Sequence, residues 1–155
     1  MKKYILSILL GISVGFFLSK NILNNYNGYT KIKSTSKNGM TAYFIKYGEY
    51  NSLEELEKNT SSLTNYIYTE KDNKYIAFIG ITTNKNNKDK LLNYFKKMKY
   101  NATCEEFTIT NKEYIEYLTN ADKLLENTTD MTVLGEVSSQ VLSKYEELVI
   151  NGSKN

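Results

Sequence analysis

The sequence predicts an α+β chain in three parts: an N-terminal transmembrane helix, a central βαββαβ unit and a C-terminal helical extension. Three observations predict it. An uncharged apolar run, residues 4–18, follows Met1-Lys2-Lys3. Between Thr41 and Thr110 strand-like and helix-like patterns alternate, and an aromatic strand carrying glycine occurs twice, as YFIKYG and YIAFIG. Beyond Asn111 apolar residues recur at helical spacing to the end.

Residues 4–18 as a helix, at about 1.5 Å per residue, cover only about 22 Å of a hydrocarbon core about 30 Å thick. The span closes if the helix continues to Leu23, with Lys3 and Lys20 snorkelling to the two interfaces. A cleaved signal peptide is the rival reading. Its only pair of small residues two apart, Ser13 and Gly15, would leave Phe16-Phe17-Leu18 as an apolar stub, which favours a retained anchor. Lys2 and Lys3 favour a short cytoplasmic tail, although Lys20, Lys31, Lys33 and Lys37 lie beyond the other end. Residues 1–23 are thus read as tail and single-pass anchor in the cell membrane, with the rest of the chain outside the cytoplasm. Residues 24–40 lack apolar periodicity and read as a flexible linker, with a reach of about 20–25 Å.

From Thr41 the pattern changes. Residues 41–47 (TAYFIKY) form a strand ending at Gly48, and Ser52 with Glu55 gives capping-box spacing ahead of a helix carrying Leu53, Leu56 and Leu63. Tyr66–Tyr68 is a short strand, and Glu70–Asn73 has hairpin chemistry. Residues 74–81 (KYIAFIGI) read as the strongest strand, Asn84–Asn87 as a break, residues 89–98 as a helix and residues 102–110 as a closing strand. The glycines at 48 and 80 each end a strand before a helix in this reading. Two βαβ halves of this kind make a four-stranded antiparallel sheet with both helices on one face, the ferredoxin-like split arrangement.

Composition excludes much chemistry. The 155 residues include no His, no Pro and one cysteine, Cys104. There is therefore no Ser-His-Asp or Cys-His machinery, no His-ligated or thiolate-caged metal and no internal disulfide. With no Arg in the sequence, anion contacts fall to Lys or backbone N–H groups. Glu105 and Glu106 are adjacent on a strand and face opposite ways, so they cannot form a glycosidase pair. No catalytic residue, metal or cofactor is expected, and Cys104 reads as a buried or half-buried thiol. Residues 21–110 carry 13 Lys against 9 acids and residues 111–155 carry 4 Lys against 8 acids, so the middle is +4 and the tail −4. Neither part is basic enough for nucleic acid, and the opposite signs suggest two units that dock.

Residues 41–110 resemble a SPOR domain, the module named for sporulation-related proteins. Its first strand, of the V-Q-V-G-S-F type, is matched by Ile45-Lys46-Tyr47-Gly48-Glu49-Tyr50. Its tyrosine-led strand ending V-G-P-F is matched by Tyr75 to Thr82. The sequence departs at Lys46, where the family has glutamine, at Ile76, where a basic residue is common, and at Ile81-Thr82 in place of Pro-Phe. Anchor, tether and outer domain together look like the divergent SPOR proteins of clostridial type. The resemblance implies binding to peptidoglycan, specifically to glycan strands stripped of stem peptides, in sporulation or cell division at the septum.

Strand alternation assigns the faces. Tyr43, Ile45, Tyr47, Ala77, Ile79, Phe107 and Ile109 are expected to point at the two crossover helices. Phe44, Lys46, Ile76, Phe78, Glu106 and Thr108 are expected on the open face, with Ala42 and Cys104. In the SPOR family that face contacts glycan, so these six are the candidate binding residues, the rings stacking on sugar and the polar groups bonding N-acetyl and hydroxyl groups. The other reading is that three large apolar residues on an open sheet are covered, for which a C-terminal helix is available.

Residues 111–150 form that helical extension. Tyr114, Ile115, Leu118, Ala121, Leu124 and Leu125 follow an Asn111 cap, residues 127–130 interrupt, and a second helix follows an Asp130 cap. The extension either packs on the domain or docks a protein of the division or sporulation machinery. The resulting expectation is a non-enzymatic, membrane-anchored protein that binds peptidoglycan. The alternative is a membrane-tethered protein-interaction module that kept the fold and lost the glycan.

Overall fold

The computed structural model describes residues 39–151. The expected anchor lies outside the described residues, as does the linker except for its last two positions. Among the described residues no helix is long and apolar enough to cross a membrane.

The aromatic, β-branched run Met40–Tyr50 forms strand β1. Helix α1, Leu53–Thr60, begins where the Ser52 hydroxyl accepts from the Glu55 N–H at 3.1 Å and the Glu55 carboxylate reaches back to the Asn51 N–H at 2.9 Å. Strands β2 (Ile67–Lys71) and β3 (Lys74–Thr82) are joined by Asp72 and Asn73, both at positive φ (53° and 60°), as a two-residue hairpin turn requires. Helix α2 spans Lys85–Lys97. The asparagine run at 84–87 therefore starts this helix and does not interrupt the chain before it. Asn84 caps it by accepting from the Asn86 N–H at 2.8 Å, and Asn87 is buried in its first turn. Strand β4 is Thr103–Ile109, followed by helices α3 (Lys112–Glu126) and α4 (Met131–Tyr145) and a π-helical turn, Glu146–Asn151. Asn111 and Asp130 cap α3 and α4 as their sequence positions predict, with bonds of 2.9 and 2.8 Å.

The fold is α+β, with one four-stranded antiparallel sheet in the order β2-β3-β1-β4 and four α-helices among the described residues. Both echoed segments fall on matching strands, β1 and β3, which pair with each other. Their glycines, however, do not end those strands. β1 runs on to Tyr50 and β3 to Thr82, and no described glycine has positive φ. At Gly80 a Cβ would sit 3.4 Å from Phe95 and 3.5 Å from Ile45, in ordinary contact, so the strand packs closely against α2 there. Gly48 lies where the β1–β3 register slips.

Strand β2 pairs only with the Lys74–Phe78 half of β3, which leaves the later half without a strand on that side. Helix α4 packs along β3. Asn65, just ahead of β2, ties to it through bonds to the Ser139 carbonyl (2.9 Å) and the Ser143 hydroxyl (2.8 Å). The core is consequently continuous from the sheet into α3 and α4.

Candidate functional site

The pairing of β1 with β4 sets Phe44 opposite Glu105, Tyr43 opposite Glu106 and Ala42 opposite Phe107. Directly paired residues point the same way. Phe107 and Ile109 therefore share a face with Phe44, while Cys104, Glu106 and Thr108 share the other with Tyr43 and Ile45. This reverses the expected placement of β4. The physical reason is that both faces of the sheet are buried, so the apolar residues of β4 are drawn to the aromatic side. Tyr43, Ile45 and Tyr47 do meet the crossover helices: Lys88 Nζ lies 5.5 Å from the centroid of the Tyr43 ring, and the Tyr47 hydroxyl donates to the Asn59 carbonyl at 3.4 Å.

Of the six candidate residues, the structure brings Phe44 and Phe78 together in an edge-on contact with centroids 5.5 Å apart, and Phe107 joins them at 4.8 Å from Phe44. Tyr145, at the end of α4, closes over this group with its ring 5.4 Å from Phe44. Tyr114 of α3 packs behind Tyr145 at 5.1 Å and donates its hydroxyl to the Val141 carbonyl at 3.2 Å. As a result Phe44 and Phe78 are 0% exposed and Ile76 4%. A ring buried on all sides offers no face to a sugar.

Lys46 lies on this same face and is engaged there. Its Nζ is 2.9 Å from Glu105 and 3.6 Å from Glu49, and the hydrogen bond to Glu105 holds its ammonium above the ordinary lysine range. Glu49 is bonded in turn to Lys74 at 2.7 Å, which holds its carboxyl below the usual range. Glu106 and Thr108 stand on the opposite face and do not join the group.

The C-terminal hairpin is fixed to the sheet by a buried carboxylate. Asp122 of α3 accepts from the Thr82 hydroxyl, from the Thr83 N–H (2.8 Å) and hydroxyl (2.6 Å), and from the Asn87 amide (3.2 Å). Lys90 of α2 donates to the carbonyls of Leu125, Glu126 and Thr128, placing a cation at the negative end of α3. Only the opposite net charges of middle and tail pointed to such docking.

A second feature has no counterpart in the sequence reading. Between α2 and α4 lies an open cleft of about 260 Å³, floored by Ile79, Phe95 and Leu142 and walled by Tyr94 and Tyr100. Met98 and Met131 stand on its rims, 43% and 37% exposed. At Gly135 the α4 backbone comes close to Tyr94, where a Cβ would meet the hydroxyl at 2.5 Å.

Cys104 is half-buried on the α2 side, and burial pushes its thiol pKa up, away from nucleophilic use. Among the described residues no group of acidic, Cys or His side chains could hold a metal ion. Comparison with family models, curated proteins and solved structures finds no match.

Proposed function

We propose that this chain is a non-enzymatic, membrane-tethered interaction module of SPOR-like, ferredoxin-like architecture, held outside the cytoplasmic membrane, which engages a protein of the division or sporulation machinery. One observation carries the choice of partner. The face that the resemblance assigns to glycan is filled by Phe44, Phe78 and Phe107 under Tyr145. Its polar member, Lys46, is paired with Glu105. The strand order β2-β3-β1-β4, with both crossover helices on one face, supports the architecture.

The glycan-binding reading retains one observation of its own. What closes the aromatic face is an appended hairpin, so its displacement would bare Phe44, Ile76 and Phe78 for sugar. Co-sedimentation of the full chain in detergent with purified sacculi, before and after amidase treatment to strip stem peptides, separates the two. The interaction reading expects no enrichment on stripped walls, and enrichment there would replace it with glycan binding.

A further inference from the structure

We propose that the cleft between α2 and α4 seats one large apolar side chain of a partner peptide whose neighbouring residues are acidic. This rests on the interaction reading above and names the partner's chemistry. The size of the cleft comes first. About 260 Å³ falls below the usual range for small-molecule sites of roughly 300–1,000 Å³. It suits a single anchoring side chain of the kind that dominates interface energetics. Its rims are methionines, whose unbranched thioethers reshape around varied apolar partners. Met98 and Met131 are two of the four exposed large hydrophobics among the described residues, and both are on this one cleft.

Charge selects the peptide. Lys96, Lys97 and Lys99 bracket Met98, all three are exposed, and among the described residues none takes part in an ion pair. Lys96 and Lys97 also suit the negative end of α2. Lys99 lies past that end at φ 66°, the left-handed position where glycine is the favoured residue. A lysine there costs about 1 kcal/mol of backbone strain and keeps a cation at the lip of the cleft. Glu136 stands on the α4 wall. The acidic residues of the peptide accordingly lie over the end of α2, and its apolar anchor points down toward Phe95 and Leu142.

The test is selection of displayed random peptides, each of about a dozen residues, on the full chain in lipid nanodiscs. The expected result is a consensus with one Phe, Leu, Trp or Met close to two or more Asp or Glu. A synthetic consensus peptide should shift the ¹³C-methyl signals of Met98 and Met131 and leave that of Met40 in place. Binding should fall about tenfold or more in K96E/K97E/K99E and in M131E, exposed sites whose thermal melts should stay near wild type. Enrichment of basic or uncharged peptides would overturn the proposal. So would peptide-free shifts of Met98 and Met131 that grow with protein concentration, which would make the occupant a second copy. Selected peptides that bind while both signals stay still end the cleft proposal and leave the interaction reading standing. Retention on stripped sacculi would end that reading, whatever the cleft binds.

Discussion

One face of the sheet is covered by α1 and α2, which the chain must lay there to connect β1 with β2 and β3 with β4. The other is covered by Tyr145 and the hairpin that carries it, and no strand connection requires that cover. The first cover is mainly apolar, with Leu91 and Phe95 of α2 beside Gly80 and Ile45, and adds only Lys88 over the Tyr43 ring and a long bond from Tyr47 to the Asn59 carbonyl. The second adds specific polar joints: Asp122 to Thr82, Thr83 and Asn87, Asn65 to Ser139 and Ser143, and Asn111 to the Leu148 carbonyl at 2.9 Å. A connecting helix is held in place by chain topology, whereas an appended one needs partners that define its seat. That difference makes the aromatic face the place where the interaction and glycan-binding proposals part.

Breaking the second cover at its centre should have the largest effect. Phe44→Ala removes a fully buried ring that touches Phe78, Phe107 and Tyr145. The expected loss is about 3–5 kcal/mol in chemical denaturation. Asp122→Ala removes the carboxylate that accepts from buried Thr82 and from Thr83, leaves Asn87 only its bond to the residue-122 carbonyl (2.9 Å), and should cost about 2–4 kcal/mol. Hydrogen exchange should then show α3 and α4 losing protection before the β1–β3 pairing does.

Legibility from sequence divides between local and long-range features. The caps at Ser52, Asn111 and Asp130 and the Asp72-Asn73 turn follow from local chemistry in both covers, whereas Asn84, read as part of a break, caps α2. The candidate face did not follow, because strand alternation gives parity within a strand but not register between strands. Reading β4 one step out of register put Glu106 and Thr108 where Glu105 and Phe107 lie. The large apolar content of both residue sets, Phe44 with Phe78 and Ile45 with Ile79, was the available sign that neither face stays open. The cleft was not legible, since it joins residues far apart in the chain, at 63–65, 94–100 and 131–142.

Two titrations sharpen the comparison with smaller effects. Burial raises the pKa of Tyr114 and Tyr145, both part of the second cover. A raised folded pKa gives stability that is complete below the unfolded value of about 10 and is lost as pH rises beyond it. Melts should therefore fall steeply above about pH 10, and Tyr145→Phe, which keeps the ring, should flatten that fall. Glu146, following α4, is likewise raised by burial. Its favourable contribution is complete below the unfolded value of about 4.3 and lost as pH rises through its folded pKa. Glu146→Gln should raise the melting temperature slightly at pH 7 and leave it unchanged near pH 4.

The seal over the aromatic face is tested most directly by nuclear Overhauser contacts between the rings of Phe44 and Tyr145 in the full chain. With centroids 5.4 Å apart, strong cross-peaks between the two rings are expected, alongside those from Phe44 to Phe78 and Phe107. A Phe44 ring that shows its sheet neighbours but not Tyr145, with the Tyr145 signals at solvent-exposed positions, would contradict the account and return the face to an open platform.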